Sequence, residues 1–570
     1  MKNTIQKQTG FENRLWWFVF CIGLWLPFFN LGWDWSGQVI SIADSEFPVK
    51  VWSYITFSDP SMWFGGLVDT ASFPNQGALN NPDIFAGVFF WCTSFLPLGL
   101  RFNLLLLLVM GLNVLSGVFL VRQFSVSKWV ALLVGFFWAW QPLLLSYGFA
   151  SNITDLTHVW PYAMGLGFLQ RALVEDNTED GQFAGLFFAL GFVTCPYSFV
   201  LFIPILPMLI WWVRRNSDRW VSLLWNLSWV AGGLLLLYGA RVGYVMQQEG
   251  SLVAADTVES VRHVYPFDGL RADKETRFTA FLMEMTGLYP RPVVIMEQVA
   301  RFSRHFQWGV ITLGLVVMGL VVNRGFRWFA LSGIVVGIGT SIGPFVSIDP
   351  FTELSNPYNP VYWWSYTLPL GKMILEPFRY VLVAGVFMTP LVGMALHRMK
   401  RWGLLLGVLM LGEMAWRSPQ FLLPTQPIAW DARLDSLEIE EGGVVHLPFF
   451  VSHSNRFDRR HFLYQLQHQR PISDPIMGFP APFTIENAVL CQLIHAETVI
   501  FPMEFFPCSV ETLRKGWVEL QEVGVRTILI DSTLYAPADW QKVQRIIQTL
   551  PVEPIEKQGL FMVKIPTKPE

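Results

Sequence analysis

About eleven apolar segments, each near the length that crosses a bilayer, occupy the first 416 residues of this 570-residue chain. A spanning helix needs about 20 mainly apolar residues, because the hydrocarbon core is about 30 Å thick and offers the backbone no hydrogen-bond partners. The segments lie near residues 15–31, 102–121, 129–147, 159–173, 183–195, 197–213, 221–245, 308–322, 329–343, 380–396 and 404–416. They predict a polytopic α-helical membrane protein.

Composition agrees with this interpretation. The chain is 52% hydrophobic and 15% charged, and it carries 26 Trp and 48 Phe. Soluble proteins are about 25% charged, and Trp is typical of membrane interfaces. With a net charge of −3, the chain lacks the basic surplus of a nucleic-acid-binding protein, so we expect no nucleic-acid partner.

Positive charges predict the orientation of the spans. Every second connection is short and basic, which is typical of cytoplasmic loops. The residues concerned are Arg14, Arg122, Lys128, Arg171, Arg214, Arg215, Arg219, Arg324, Arg327, Arg398, Lys400 and Arg401. This predicts that the amino terminus lies in the cytoplasm and the carboxyl-terminal tail outside.

The tail, residues 417–570, differs in composition from the rest. It holds 32 of the 83 charged residues of the chain. Strand-like runs at 443–450, 527–530 and 560–565 alternate with helical spacing at 510–523 and 539–550. The sequence therefore predicts two domains: a transmembrane domain over 1–416 and an extracytoplasmic α/β domain over 417–570.

Long polar connections fall on the outer side, at 32–101, 246–307 and 344–379. The interiors of the predicted spans are almost free of ionisable residues, with Glu413 as the main exception. Transporters place charged groups within their helices. This distribution therefore favours chemistry at the outer membrane interface over a transporter.

The first outer loop carries two acids in the run Asp44-Ser45-Glu46-Phe47-Pro48, soon after the first span. A carboxylate there is suited to act as a general base on a hydroxyl, or to hold a divalent metal against a phosphate. The alternative is that both are solvated loop acids or helix caps.

The architecture and several short motifs resemble the GT-C superfamily, the integral-membrane glycosyltransferases that use polyprenyl-phosphate sugars. The run 44–48 is similar to the loop acid and following proline of this group, and 63–77 resembles arabinofuranosyltransferase-type and uncharacterised bacterial members. In the tail, Val444-Val445-His446-Leu447-Pro448, Tyr464 to Ile472 and Val523 to Ile528 resemble outer-domain patterns of such proteins.

The resemblance implies roles for particular residues. Asp44 matches the base that deprotonates the acceptor, and Glu46 would assist it or bind metal. Asp155 is the candidate for a second loop acid. A lipid-phosphate donor also needs cations near the interface, for which Lys50, Lys372 and Arg379 are the candidates. Their alternative roles are headgroup contacts and an arginine that snorkels to fix helix depth.

The resemblance also implies the reaction and its partners. The donor would be a polyprenyl-phosphate sugar, the acceptor a glycan or protein, and the transfer inverting, in contact with membrane lipid. A divalent cation, Mg²⁺ or Mn²⁺, is the one cofactor it leaves open. A competing hypothesis is a non-catalytic scaffold with this fold, serving as a subunit of a cell-envelope complex.

Histidines recur in the tail at His446, His453, His461 and His468. No cysteine or acid joins them at the spacing of metal ligands, so we predict no metal site there.

Overall fold

The structure is a computed structural model of the 570-residue chain. It describes residues 2–42, 46–63, 66–68, 77–79, 83–194, 201–248, 308–341, 360–368, 377–418, 420–428, 430–448, 459–473, 487–496 and 509–567. Within these ranges the chain is mostly helical.

The helices follow the apolar segments of the sequence. In chain order they are α1 (Lys2–Trp25), α2 (Phe47–Thr56), α3 (Ile84–Cys92), α4 (Leu98–Arg122), α5 (Lys128–Ala139), α6 (Trp160–Glu175), α7 (Asp180–Thr194), α8 (Leu206–Asn216), α9 (Trp220–Gln248), α10 (Val310–Val322), α11 (Arg327–Ser341), α12 (Pro360–Thr367), α13 (Val381–Arg398), α14 (Arg401–Arg417), α15 (His461–His468), α16 (Ala488–Ala496), α17 (Val510–Glu522) and α18 (Pro537–Thr549).

The strands are short and fewer. They are β1 (Gln38–Ile40), β2 (Gly66–Val68), β3 (Gly77–Leu79), β4 (Thr425–Pro427), β5 (Gly443–Leu447), β6 (Val525–Asp531), β7 (Ile555–Lys557) and β8 (Leu560–Lys564).

Three helical stretches of the described chain are long and apolar enough to cross a membrane: Glu12–Leu31, Leu98–Arg122 and Val381–Arg398. A fourth is a bent pair, α5 followed by a π-helix over Leu144–Ala150, with an angle of 59° between the two parts. The count of about eleven spans stays a prediction, and residues 195–200, around Pro196, lie outside the described residues.

Two compact units make up the structure. The first comprises the described residues of Met1–Ala43, Asn81–Arg241 and Ser251–Pro427, and the second those of Asp44–Asn80, Val242–Gly250 and Ile428–Glu570. The first unit extends beyond residue 416 because β4 pairs antiparallel with β1.

Helix α13 is the centre of the first unit, because every residue from Val381 to Leu396 is buried. Glycines let its neighbours approach closely. A Cβ on Gly319 of α10 would lie 2.4 Å from the carbonyl oxygen of Leu391, and one on Gly337 of α11 would lie 2.5 Å from the amide nitrogen of Ala384. Small residues at such contacts are a standard way for membrane helices to pack.

Glu413, the acid within the last predicted span, has a structural role. Its carboxylate accepts hydrogen bonds of 3.0 Å from the backbone amides of Val310 and Ile311. It also pairs with Arg417 at 2.9 Å. It thus caps α10 from a neighbouring helix, where the exposed amides and the helix dipole favour a negative charge.

The second unit contains a four-stranded sheet in the order β5-β6-β8-β7, with β5 and β6 parallel and the other pairs antiparallel. Alternating residues of β5 and β6 face opposite sides, as expected for strands. One side packs against α16, α17 and α18 around Val445, Ile528 and Trp517. The other packs against α15 and, from the first outer loop, α2. That the tail of this unit lies outside the membrane stays a prediction.

Candidate functional site

The predicted site residues fall into three groups. Asp44 and Lys372 lie outside the described residues. Asp155 and Arg379 belong to the first unit, and Glu46 and Lys50 to the second.

Within the first unit, two hydrogen bonds join the segment that ends at Ile42 to the segment that leads into Asp155. Both are accepted by backbone carbonyls. The amide of Ile42 donates to the carbonyl of Ala150 at 2.9 Å. The side-chain amide of Asn152 donates to the carbonyl of Ile40 at 2.8 Å. The segments that lead into two acid-bearing connections are therefore hydrogen-bonded to each other.

The backbone around Asp155 is held firmly. Asn152 has a positive φ of 57°, which Asn tolerates better than most residues. Asp155 itself lies in a 3-10 turn over Thr154–Leu156. Directly after it, the carbonyl of Thr157 accepts a buried hydrogen bond of 2.9 Å from Asn113 on α4. This is the support expected of a loop that has to hold one geometry.

Arg379 lies in a 3-10 turn, Pro377–Tyr380, at the start of α13. Its guanidinium donates a hydrogen bond of 2.9 Å to the Tyr147 hydroxyl, and its Cζ atom lies 5.2 Å from the centre of the Tyr147 ring. Tyr147 belongs to the π-helix that follows the bend in α5. The bend thus presents a tyrosine to the arginine, and a π-turn within a helix is often found at a functional site.

Glu46 belongs to the second unit and immediately precedes α2. Its Oε2 atom lies 3.4 Å from Nε of Arg459, and the two side chains are 34% and 23% exposed. Lys50, one turn further along α2, is half-buried. The resemblance gave Glu46 a second role as a metal ligand, but the guanidinium beside it disfavours a divalent cation at this carboxylate.

One buried pair escaped the sequence analysis. Nε2 of His158 lies 2.9 Å from Oδ2 of Asp83, and the side chains are 1% and 4% exposed. Both atoms lie within ion-pair distance but not in the alignment of a hydrogen bond. The other oxygen of Asp83 accepts from the amide of Ala86 at 3.0 Å and so caps α3. An acid just before an apolar run was the signal for the cap, but nothing in the sequence indicated the histidine.

Of the four recurring histidines, His446, His461 and His468 come together, and His453 lies outside the described residues. The ring centre of His446 lies 4.9 Å from that of His461 and 5.2 Å from that of His468. Among the described residues no group of three or more His, Cys, Asp and Glu side chains is arranged to hold a metal ion.

A backbone hydrogen bond sets the tautomer of His468. The amide of Arg470 donates to Nδ1 of His468 at 3.0 Å. A neutral His468 therefore carries its proton on Nε2, which lies 3.0 Å from Nε2 of His446. Burial, together with the nearby charge of Arg470, lowers the pKa of His468 to about 4. Burial also holds the pKa of His446 well below its usual value.

The fold of this chain is similar to that of solved glycosyltransferase structures. Over 97% of its length it is similar to the cryo-EM structure of arabinofuranosyltransferase AftD from Mycobacteria, with a TM-score of 0.58 and 12% sequence identity. A mutant of that enzyme gives a TM-score of 0.56 and 13% identity, again over 97% of this chain. This chain covers 40% and 42% of the two larger structures.

The apo oligosaccharyltransferase of Archaeoglobus fulgidus has a TM-score of 0.48 and 12% identity, over 91% of this chain and 69% of that one. No family model matches the sequence, and no curated protein matches it. The likeness to the arabinofuranosyltransferase shows that the chain has the GT-C fold, as its loop and tail motifs predict.

Proposed function

We propose that the protein is a membrane glycosyltransferase that moves a sugar from a polyprenyl-phosphate donor to a glycan or protein acceptor on the outer face of a bacterial inner membrane. The observation that carries the proposal is the GT-C fold over nearly the whole chain. The outer connections add acids and a cation of the kinds that this chemistry needs.

The proposed reaction is a single displacement with inversion. Asp44 accepts the proton of the acceptor hydroxyl, whose oxygen attacks the anomeric carbon of the donor. The bond from that carbon to the phosphate oxygen breaks, and the polyprenyl phosphate leaves with the electron pair. Asp155 is proposed as the second acid, on a backbone that is held at Asn152 and Thr157.

Arg379 is proposed to bind the donor phosphate, with Lys50 and Lys372 as further cations. Arginine suits this task because its planar guanidinium binds phosphate oxygens in pairs. The hydrogen bond that Arg379 donates to the Tyr147 hydroxyl orients the guanidinium. No step of the proposed reaction uses a divalent cation.

The test compares purified wild-type protein with Asp44→Asn in transfer from a panel of labelled polyprenyl-phosphate sugars to envelope material. We expect the wild type to transfer one of the sugars and Asp44→Asn to lose the activity while expressing and inserting normally. Asp59→Asn is the matched control, since Asp59 is an exposed acid of the same loop whose capping role asparagine keeps.

Two results would contradict the proposal. Full activity in Asp44→Asn would remove Asp44 as the base. A wild type that transfers none of the sugars, under conditions where a known GT-C enzyme does, would favour the non-catalytic scaffold.

A further inference from the structure

Helix α2 of the first outer loop is built into the core of the second unit. Its buried residues Val49 and Trp52, with Phe57 just after it, belong to a cluster whose other members come from the tail. The ring of Trp52 meets that of Phe462 edge to face, with centres 5.1 Å apart at 62°. Both side chains are 1% exposed, so apolar burial holds the helix in place.

The tail side of this contact is itself held rigidly. Phe462 lies on α15, and His468 at the end of α15 hydrogen-bonds His446 of the edge strand β5. Val444 of the same strand belongs to the cluster that contains Trp52. The sheet, α15 and α2 are therefore packed together around one core.

Arg459 adds a polar contact at the edge of this packing. It lies two residues before α15, and its guanidinium reaches the carboxylate of Glu46, the residue before α2. The buried contact of Trp52 fixes where the helix lies. The ion pair fixes the direction of the carboxylate at its start, which is the end that continues into Asp44 along the chain.

We propose that Arg459 is a positioning residue, which holds Glu46 and the start of α2 in the geometry that the loop acids need. The inference rests on the proposed function, because it gives the tail a part in sugar transfer. The tail would then do more than offer a surface to partners: it would set the geometry of an acid-bearing loop more than 400 residues away in the chain.

The contact is suited to positioning rather than to stability. Both side chains are partly exposed, and partly exposed ion pairs add little to the free energy of unfolding. Arg459→Gln is therefore expected to fold normally. It would release the carboxylate while α2 stays packed through Trp52.

The test measures transfer kinetics for Arg459→Gln, Arg459→Lys and the control Arg470→Gln. Arg470 is a suitable control because it also pairs with a glutamate in the second unit. Its guanidinium lies 3.6 Å from the carboxylate of the exposed Glu441. We expect Arg459→Gln to lower kcat about tenfold, with the KM of the donor changed less than twofold and the melting temperature unchanged. Arg459→Lys should recover part of kcat, and Arg470→Gln should match the wild type.

A double variant tests whether Arg459 acts through Glu46. If it does, Glu46→Gln combined with Arg459→Gln should be no slower than Glu46→Gln alone. Equal kcat in Arg459→Gln and Arg470→Gln, or independent effects of the two Glu46 and Arg459 changes, would overturn the proposal.

A second measurement does not depend on transfer. Hydrogen–deuterium exchange of the peptide around Glu46 should quicken in Arg459→Gln and stay unchanged in Arg470→Gln. If the wild type transfers no sugar and Arg459→Gln still exchanges faster than the wild type, the contact is real and the proposed function is wrong. Unchanged exchange would overturn the positioning role itself.

Discussion

His158 and Asp83 form a buried acid–imidazole contact of 2.9 Å, at 1% and 4% side-chain exposure. Asp83 also caps α3 through the amide of Ala86. His158 comes two residues before α6 and three after Asp155. The pair therefore joins the start of one helix to the connection that carries the candidate second acid.

Replacing His158 is expected to destabilise the protein strongly. His158→Ala removes the imidazole beside the buried carboxyl group of Asp83, and leaving a buried polar group without its partner typically costs about 1–3 kcal/mol. Asp83→Asn should cost less, because asparagine keeps the cap on α3 and a polar group beside His158. Thermal unfolding of the detergent-solubilised variants gives the order, and a melting temperature of His158→Ala equal to that of Asp83→Asn would contradict it.

Helices such as α4 and α17 could be predicted from the sequence, and this long-range pair could not. The apolar run at 102–121 and the helical spacing at 510–523 predict α4 and α17 because burial imposes its period on neighbouring residues. Asp83 and His158 are both loop residues, 75 positions apart. Their contact depends on how α3, α4 and α6 pack, which no local pattern encodes.

The candidate site shows the same limit. The sequence indicated Arg379 and Glu46 as candidate site residues. It did not indicate that Tyr147 and Arg459 would be their partners. Tyr147 was the last residue of the span predicted at 129–147, whereas the structure places it in a π-helix that follows a bend of 59°. Arg459 lies in the tail, and its contact with the first loop depends on α2 joining the core of the second unit.

Two glycines of α14 should respond oppositely to alanine. A Cβ on Gly403 would clash with the carbonyl oxygen of Leu396, a backbone atom that cannot move aside alone. Gly403→Ala should therefore cost about 1–3 kcal/mol through overpacking. Gly412 is exposed and a Cβ there meets nothing within 4 Å, so Gly412→Ala should be neutral or gain up to about 1 kcal/mol. Melting temperatures measured side by side check both signs.

Stability should fall as the pH drops from about 6.5 to about 4, because of the buried histidines. The pKa of His468 is lowered to about 4 by burial, so in this range the unfolded chain binds a proton that the folded chain does not. Unfolding is then favoured as the pH falls, by about 3 kcal/mol at pH 4 from His468 alone. Above pH 6.5 this contribution to stability is fully present.

The measurement is the melting temperature between pH 7 and pH 4.5, compared across variants. His468→Gln should lower stability at pH 7 but reduce the loss on acidification. The control is His397→Gln, which changes an exposed histidine and should keep the wild-type slope. An identical slope in His468→Gln would show that other groups set the acid sensitivity.

The contact between Tyr147 and Arg379 predicts a graded loss of donor binding. Tyr147→Phe keeps the ring beneath the guanidinium but removes the hydrogen bond of 2.9 Å, so we expect the KM of the polyprenyl-phosphate donor to rise about fivefold. Arg379→Lys should be worse, because lysine keeps the charge but loses the planar pair of N–H donors. The control Arg401→Gln changes an exposed arginine that also lies near an aromatic ring, Trp402, and should leave KM unchanged. If Arg379→Lys bound the donor as well as the wild type, the guanidinium would be a helix anchor at the membrane surface rather than a phosphate ligand.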